Sequence, residues 1–264
     1  MSEEKKKQSR PLNQKEVEEM LERGESFEGL EIGDILFNAH QFENHVNFYR
    51  ANFVGSVDFY FTRFLNGANF VGTKFSGESG ANFSKAEFSG EDSANFIKAT
   101  FSGKAGANFV QAKFSGKGGA NFLEATFSGD EGADFSFANF SGEGVADFHG
   151  VEFNGKEGVE FSFAEFSGKG GADFGRTVFS GKNANFSYAE FLCEDRISFE
   201  DVEFGRDCII NFDNLKIKNP KNLFFRKAYL GNTIFYQTDV EEFNFKNVKF
   251  RKYPPNEFNW LRKI

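Results

Sequence analysis

Phenylalanine recurs along this chain at a fixed spacing. From Phe70 to Phe179, all Phe residues except Phe137 and Phe163 lie on one lattice with steps that alternate between five and eight, so the sequence repeats every thirteen residues. A small residue, usually Ala, stands two positions before most of these rings, and polar residues fill the positions between them. A short fixed period predicts a repeat architecture in which each unit buries its apolar side against its neighbours.

The elementary unit is a pentad, Ala-x-Phe-x-x. Bare pentads begin near Phe27 and return between Phe225 and Phe250, where the apolar positions are five residues apart. In the middle of the chain, every second pentad carries an insert that mostly reads Ser-Gly-x-x-Gly. The pattern stops at Pro254-Pro255, because Pro cannot donate a hydrogen bond to a β ladder.

Tandem Ala-(Asp/Asn)-Phe-x-x units from about Phe27 to Phe250 resemble the pentapeptide-repeat protein family. The resemblance implies an all-β solenoid, a right-handed four-sided parallel β-helix with one pentad on each side. We therefore expect about nine coils, with residues twenty-six apart stacked wherever two pentads of a coil carry inserts. The chain departs from the family's pattern in preferring Phe to Leu at the central position and in its inserts.

A short helix is predicted before the repeats. Asn13 and Glu16 form a capping-box pattern, and Gly24 suits the residue just beyond a helix. We divide the chain into a polar, basic tail at 1–10, an N-terminal capping helix at 11–24, the solenoid at 25–252 and a C-terminal tail or cap at 253–264.

The Phe side chains are predicted to stack inside the coil as ladders. Rings one coil apart lie close enough for offset contacts worth about 0.5–1.5 kcal/mol beyond their burial. The predicted core ladder consists of Phe70, Phe96, Phe122, Phe148, Phe174, Phe83, Phe109, Phe135, Phe161 and Phe186.

The residue before the first Phe of each unit is predicted to point outwards. It is Asn in the units from Asn69 to Asn121, where stacked amides could form ladders. It then becomes acidic, at Asp134, Asp147, Glu160 and Asp173. Two interpretations are open for this acidic band: a solvated face, or a surface for a cationic partner.

A second outward feature is an aromatic column. Phe137, Phe163 and Tyr188 are nearly twenty-six residues apart and follow an inward Phe by two positions. Ile97 and Leu123 form a shorter apolar column on another face. Contiguous exposed apolar surface often marks a contact site. The alternative is that the long inserts fold over these side chains.

The C-terminal end is basic and carries Phe258 and Trp260 after the prolines. One interpretation is an end cap in which the tail folds back and Trp260 covers the core of the last coil. The other is an end-to-end homodimer contact or a docking segment.

Signals of catalysis are poor. His40, His45 and His149 are the only histidines and have no metal-ligand spacing, so neither a metal nor another cofactor is expected. No nucleophile motif appears with a triad. Cys193 and Cys208 are the only cysteines, which favours reduced thiols in a cytoplasmic protein.

The sequence favours a non-enzymatic scaffold that presents a rigid repeat surface to an unknown protein partner. The net charge of −8 gives no reason to expect direct nucleic-acid binding. Because some pentapeptide-repeat proteins imitate DNA and bind DNA gyrase, the resemblance implies a gyrase-binding DNA mimic as one alternative. A soluble module of a membrane-associated pentapeptide-repeat protein is the other.

Overall fold

Four parallel β-sheets form the sides of the molecule. In the computed structural model, which describes residues 10–230 and 232–250, the sheets contain eight, nine, eight and eight strands. The predicted fold class is confirmed, with about eight turns where about nine coils were expected, and the arrangement is consistent with a right-handed quadrilateral solenoid. Phe258, Trp260 and the predicted C-terminal tail lie outside the described residues, as does most of the predicted tail at 1–10.

Each coil contributes one short strand to each sheet. Sheet 1 contains Glu31–Ile32, Asn52–Phe53, Lys74–Phe75, Thr100–Phe101, Thr126–Phe127, Glu152–Phe153, Val178–Phe179 and Glu203–Phe204. Sheet 2 contains Ile35–Leu36, Val57–Asp58, Ala81–Asn82, Ala107–Asn108, Ala133–Asp134, Gly158–Glu160, Asn183–Asn185, Ile209–Asn211 and Asn232–Ile234. Sheet 3 contains Gln41–Phe42, Arg63–Phe64, Glu87–Phe88, Lys113–Phe114, Asn139–Phe140, Glu165–Phe166, Glu190–Phe191 and Lys216–Ile217. Sheet 4 contains Val46–Asn47, Ala68–Asn69, Ala94–Asn95, Ala120–Asn121, Ala146–Asp147, Ala172–Asp173, Ile197–Ser198 and Leu223–Phe224.

Three further elements complete the described chain. The α-helix Gln14–Arg23 precedes the first coil, and a 3₁₀ turn at Pro220–Asn222 leads into the last strand of sheet 4. A two-stranded parallel ladder of Tyr229–Leu230 and Lys249–Phe250 closes the C-terminal end. No helix within the described ranges is both long enough and apolar enough to cross a bilayer.

One coil of the solenoid contains two sequence units. In the middle of the chain Ala81 pairs with Ala107, which pairs with Ala133, so a coil is 26 residues long. Towards the N-terminus, where inserts are shorter, Ile35 pairs with Val57. Successive thirteen-residue units therefore occupy opposite sides of the molecule, with sheet 2 opposite sheet 4.

The core is a set of Phe ladders, as predicted. Phe96 stacks on Phe70 at 4.9 Å between ring centroids and on Phe122 at 4.8 Å, with interplanar angles of 7° and 2°. The Phe109 ladder meets this one edge to face, since Phe109 lies 5.5 Å from Phe122 at 90°. Parallel contacts within a ladder and perpendicular contacts between ladders suit the charge distribution of aromatic rings and fill the interior.

The four corners are of two kinds. Sheets 1 and 3 are followed by the long inserts, whereas sheets 2 and 4 are followed by tight turns. In most tight turns the carbonyl of the inward Phe accepts a hydrogen bond from the N–H of the residue three positions on, as between Phe122 and Ala125 at 2.9 Å. The inserts therefore project from two opposite corners and leave the other two uncovered.

The helix Gln14–Arg23 covers the first coil. Its capping box is complete, since the side chains of Asn13 and Glu16 each accept a hydrogen bond from the other residue's backbone N–H. The side-chain amide of Gln14 bonds both the N–H and the carbonyl of Leu36, at 2.8 and 3.2 Å, and Leu12 pairs with the sheet 1 edge at Glu31. These contacts occupy strand-edge groups that could otherwise template aggregation.

Candidate interaction surface

Exposed apolar side chains gather on one side of the solenoid. Nine of the ten large ones among the described residues lie on sheet 2 or at the tight corner between sheets 2 and 3, which we call the apolar face. They are Leu36, Tyr60, Phe61, Phe137, Phe163, Tyr188, Ile209, Ile234 and Tyr236. Val145, at the corner between sheets 3 and 4, is the exception. Scattered apolar exposure is ordinary, whereas contiguous apolar surface is typical of a contact site, and on this face the contiguous part is the stack of Phe137, Phe163 and Tyr188.

Phe137, Phe163 and Tyr188 form the centre of this face, and we call them the aromatic strip. The centroids of successive rings are 4.8 Å apart with interplanar angles of 3°, so the three side chains form one continuous stack. Their exposed fractions are 53%, 47% and 49%. The inserts lie at the two adjacent corners and do not cover them.

The strip occupies a strained backbone position. Phe137, Phe163 and Tyr188 all have φ of 58°, in the left-handed region that bulky residues rarely adopt. Gly72 and Gly150 fill the equivalent position in two turns of the opposite corner, with φ of 64°. Because Gly would adopt this conformation without steric cost, the fold itself does not require large aromatic rings here.

The second apolar column differs from the strip. Ile97 and Leu123 lie at the opposite corner, between sheets 4 and 1, and each is half-buried. Their neighbours Lys98 and Glu124 form an ion pair at 3.2 Å. That corner thus presents mixed, charged surface and provides a matched control for the strip.

The predicted acidic band is divided between two faces. Asp134 and Glu160 lie on sheet 2, beside the strip, while Asp147 and Asp173 lie on sheet 4, on the far side of the solenoid. The four residues alternate in this way because consecutive units face opposite directions. A single partner surface formed by all four acids is therefore inconsistent with the structure.

The outward Asn and Asp residues bond their own turns. The Oδ1 atom of Asn121 accepts a hydrogen bond from the N–H of Leu123 at 3.0 Å, and that of Asp134 accepts one from Ser136 at 2.8 Å. Asp147 and Asp173 do the same with the residues two positions on. The oxygen thus serves an Asx-type turn that Asn and Asp can both make. The amide nitrogen remains available for bonds between coils, as where Nδ2 of Asn82 donates to Asp58 at 3.0 Å.

Glu160 departs from this arrangement. Its carboxylate accepts hydrogen bonds from the side-chain amides of Asn183 and Asn185 in the next coil, at 2.6 and 2.7 Å. Burial raises the pKa of Glu160, the two amide hydrogen bonds act in the opposite direction, and Asp134 adds to the rise. Burial likewise raises the pKa of Asp147.

Replacing Asp134 separates its structural role from its charge. We expect Asp134→Ala to lose about 1 kcal/mol of stability, since the N–H of Ser136 would lose its partner. Asp134→Asn should melt close to the wild type, because the amide oxygen can still accept that hydrogen bond. Thermal unfolding of both variants checks this, and equal losses in the two would show that the charge, rather than the turn, matters for stability.

Ion pairs across coils offset part of the acidity. Between Asp130 and Glu165, lysines from the next coil contact Asp130, Glu143 and Glu157 at 2.9, 3.5 and 2.6 Å. Such exposed pairs contribute little to stability. They do reduce the negative potential that this part of the sequence would otherwise project.

Reactive groups are few in the part of the chain that the structure describes. It contains no group of three or more His, Cys, Asp or Glu residues that could hold a metal ion. Cys193 and Cys208 are buried, and burial raises their pKa values to about 11 and about 12, which makes both thiols poor nucleophiles. An open groove of about 660 Å³ beside sheet 1 is lined by charged residues that include Asp201 and Lys227, which pair at 3.6 Å.

Comparisons with known proteins add no functional assignment to this geometry. No protein-family model matches the sequence, and no curated protein does either. Solved structures do align with it. One is HetL, a pentapeptide-repeat protein involved in heterocyst differentiation regulation from the cyanobacterium Nostoc sp. strain PCC 7120, with 16% identity over 90% of this chain and 94% of that chain and a TM-score of 0.24.

A second is full-length QnrB1, a plasmid-mediated fluoroquinolone resistance protein, with 17% identity over 86% of this chain and 87% of that chain and a TM-score of 0.29. Identities and TM-scores this low carry no functional argument. The fold is established by the chain's own four sheets and stacked Phe ladders.

Proposed function

We propose that this protein, a four-sided β-solenoid of pentapeptide repeats, is a non-enzymatic scaffold that binds a protein partner through its apolar face. The pentapeptide-repeat architecture predicted from the sequence is confirmed. The observation that carries the proposal is the concentration of exposed apolar side chains on that face, with the aromatic strip at its centre.

The chemistry of the face favours a protein segment as the ligand. The strip presents the edges of stacked rings, which bury well against aliphatic and aromatic side chains. Asp134 and Glu160 flank it on sheet 2, and Glu165 flanks it on sheet 3. A segment with apolar residues and basic neighbours would match both features. Aromatic residues are also the commonest anchors of protein interfaces.

A binding comparison with matched variants tests the proposal. We expect a partner captured from an extract of the native host by the immobilised protein to be lost with Phe137→Gly/Phe163→Gly/Tyr188→Gly. Glycine is chosen because it tolerates the left-handed backbone of these turns, so the variant should remain folded. Circular dichroism and a thermal melt confirm folding before the comparison.

The control variant is Lys98→Gly/Glu124→Gly/Arg176→Gly. These residues occupy the equivalent turn position at the opposite corner, with φ of 54–55°. Retention of the same partner by this control, together with its loss from the strip variant, supports the proposal. A partner that binds both variants equally would exclude the strip as the binding surface.

A gyrase-binding DNA mimic is the second candidate, and the net charge of −8 favours it. The division of the four acids between two opposite faces and the lysine pairs across coils weaken the likeness to a uniformly negative duplex. We expect purified protein at micromolar concentration to leave DNA supercoiling by gyrase unchanged. Inhibition or protection of gyrase in that assay would favour the DNA mimic instead. The end-to-end homodimer stays a prediction.

A further inference from the structure

The outward row of sheet 4 changes its chemistry halfway along the molecule. Its members, one from each coil and in register, are Asn47, Asn69, Asn95, Asn121, Asp147, Asp173, Ser198 and Phe224. The first four are amides and the next two are carboxylates, and the change falls at the middle of the eight strands. Sheet 4 lies opposite sheet 2, so this row belongs to a surface separate from the apolar face.

The central residues of the row keep hydrogen-bonding groups that the fold does not use. Asn95 and Asn121 accept a hydrogen bond at Oδ1 from the N–H two positions on, at 3.2 and 3.0 Å. The Nδ2 atoms of these two residues have no acceptor among the described residues. Asp147 and Asp173 bond their own turns through Oδ1 in the same way, and Oδ2 of Asp173 lies 3.5 Å from Nδ1 of His149. One half of the row thus offers amide donors and the other half offers carboxylate acceptors.

The inserts between sheets 3 and 4 place charges of alternating sign along one border of this row. Corresponding positions in five successive coils carry Glu91, Lys117, Glu143, Lys169 and Glu194. Lys117 pairs with Glu91 at 2.7 Å, and Lys169 pairs with Glu143 at 3.5 Å. These four side chains are more than half exposed, so they can still contact charges outside their own chain.

A second copy of the chain in antiparallel orientation is complementary to the row. A two-fold axis across the middle of sheet 4, perpendicular to the solenoid axis, brings each coil opposite the coil equally far from the centre in the other copy. Asn121 then faces Asp147, and Asn95 faces Asp173, so each amide donor meets a carboxylate. In a parallel dimer each residue of the row would face itself, and Asp147 would repel its own equivalent.

The same axis also matches the charges of the inserts. It places Lys117 opposite Glu143, and Glu91 opposite Lys169. Because the signs alternate, a shift by one coil in either direction would bring like charges together along this border. Charge therefore specifies the register of the two copies as well as their orientation.

Side-chain size matches at both borders of the row. Val145 is exposed on the insert border and faces Gly119 of the other copy. Ile97, at the corner between sheets 4 and 1, is half-buried and faces Gly175. In both places a branched apolar side chain meets a residue that has none, so the two surfaces can approach closely.

The contact is small and includes one unfavourable pair. Lys98 faces Arg176 at the corner between sheets 4 and 1, although Lys98 is already paired with Glu124 at 3.2 Å. The row is roughly 34 Å long at about 4.8 Å per coil, and a five-residue side is at most roughly 17 Å wide. Two copies would therefore bury roughly 1,000 Å² together, near the lower limit for a specific interface. We expect a weak dimer with a dissociation constant in the micromolar range.

We propose that this protein forms an antiparallel homodimer through sheet 4 and the insert corner beside it. Sheet 2 lies on the opposite side of each copy, so the two apolar faces point away from each other and stay accessible. The dimer would present two partner-binding surfaces at once. That last consequence rests on the proposed function, whereas the self-association does not.

Sedimentation velocity over a wide range of protein concentration tests the association. We expect the wild type to pass from monomer to dimer between micromolar and near-millimolar concentrations. Asn121→Asp keeps the turn, since Asp147 makes the same bond, but places a carboxylate opposite Asp147 of the other copy. Its association should be weaker by about tenfold or more. The matched control is Asn108→Asp on sheet 2, where Asn108 makes the same turn bond at 3.0 Å, and it should dimerise like the wild type.

A charge swap tests the register. Lys117→Glu puts like charges opposite each other at two places in the dimer, so we expect it to weaken association by about tenfold or more. Lys117→Glu/Glu143→Lys restores opposite charges across the axis and should recover most of the loss. Within one chain both variants leave two like-charged neighbours and one unlike pair along the corner from Glu91 to Lys169. Only the dimer therefore distinguishes them, and circular dichroism confirms that both are folded.

Three results would overturn the assignment. A protein that stays monomeric at near-millimolar concentration does not form this dimer. Association that is unchanged in both Asn121→Asp and Lys117→Glu lies on another surface. Its loss in Phe137→Gly/Phe163→Gly/Tyr188→Gly would then assign it to the apolar face, and its persistence there to an end of the solenoid. A charge swap that associates no better than Lys117→Glu contradicts the proposed register. No other protein is present in these measurements, so their outcome is independent of whether the proposed partner exists.

Discussion

Replacing Phe122 by Ala is expected to destabilise the solenoid by roughly 3–5 kcal/mol, the usual cost for a buried aromatic residue. The ring has no exposed surface and stacks between Phe96 and Phe148, at 4.8 and 5.0 Å. It also meets Phe109 and Phe135 edge to face, at 5.5 and 5.4 Å. Two further rings, Phe114 and Phe127, lie at 5.9 and 6.3 Å. The variant therefore loses six ring contacts and leaves a cavity that neighbouring coils cannot close without breaking their own ladders. Chemical denaturation measures the loss.

Phe163→Gly is the matched control, since it removes a ring of the same kind from the outside of the coil. Among the aromatic rings of the described residues, Phe163 stacks with the two other members of the strip, and the substitution relieves a left-handed backbone. We expect a change below about 1 kcal/mol, as for most surface substitutions. Equal losses in the two variants would mean that inward and outward rings contribute alike, which the account does not allow.

Gly132→Ala is expected to destabilise the protein by about 2–5 kcal/mol, through backbone strain and overpacking together. Gly132 has φ of 78°, and a Cβ atom there would overlap the carbonyl oxygen of Gly158 in the next coil. The obstacle is backbone, so the two coils would have to separate at this corner. The steric cost explains why the inserts so often end in Gly. Thermal and chemical denaturation both report it.

Gly150→Ala separates strain from collision. Gly150 also has positive φ, 64°, but the nearest atom to an added Cβ is the flexible side chain of Glu124 at 3.6 Å. Ala39 occupies the same kind of position with φ of 53°. We expect a loss of about 1 kcal/mol, close to the cost of strain alone. A loss at Gly132 no larger than this would contradict tight contact between inserts of successive coils.

Much of the fold could be predicted from the sequence because one physical requirement repeats. Every side of every coil must fill the interior with one large side chain, so the Phe spacing reports the winding directly. The stack of Phe70, Phe96 and Phe122 follows from adding the coil length to each position. The capping box at Asn13 could also be predicted from the sequence, since its two hydrogen bonds join residues three positions apart.

The candidate site was only partly predictable. The strip was found because Phe137, Phe163 and Tyr188 lie in the region of nearly constant coil length. Tyr60 and Tyr236 were missed, because coils near both ends are shorter: Ile35 pairs with Val57, and Ile210 with Thr233. A surface column there requires the actual register, which the sequence period does not supply.

Two predictions about polar residues show the limits of sequence reasoning. Outward Asn residues at a fixed period predicted amide bonds between coils, and the structure adds a role within the turn, since the oxygen of Asn121 accepts a hydrogen bond from the N–H of Leu123. The turn uses the oxygen because that backbone N–H lies within reach of the side chain, and the amide nitrogen can still donate to a neighbouring coil, as in Asn82. Asp134 and Asp147 were grouped by sequence proximity, although one unit is half a coil and places them on opposite sheets.

The assignment of surface residues to faces of the solenoid depends on two thirteen-residue units forming one coil. Cysteine cross-linking measures this coil length most directly. Phe137→Cys/Phe163→Cys places two thiols one coil apart, at the roughly 4.8 Å strand spacing, within the about 4.4–6.8 Å Cα separation that a disulfide requires. Phe137→Cys/Gly150→Cys places them thirteen residues apart, at opposite corners. The native Cys193 and Cys208 are buried and should not compete. On mild oxidation, followed by mass spectrometry of the linked peptides, the account predicts an intrachain disulfide in the first variant and none in the second. A disulfide between positions 137 and 150, with none between 137 and 163, would contradict it.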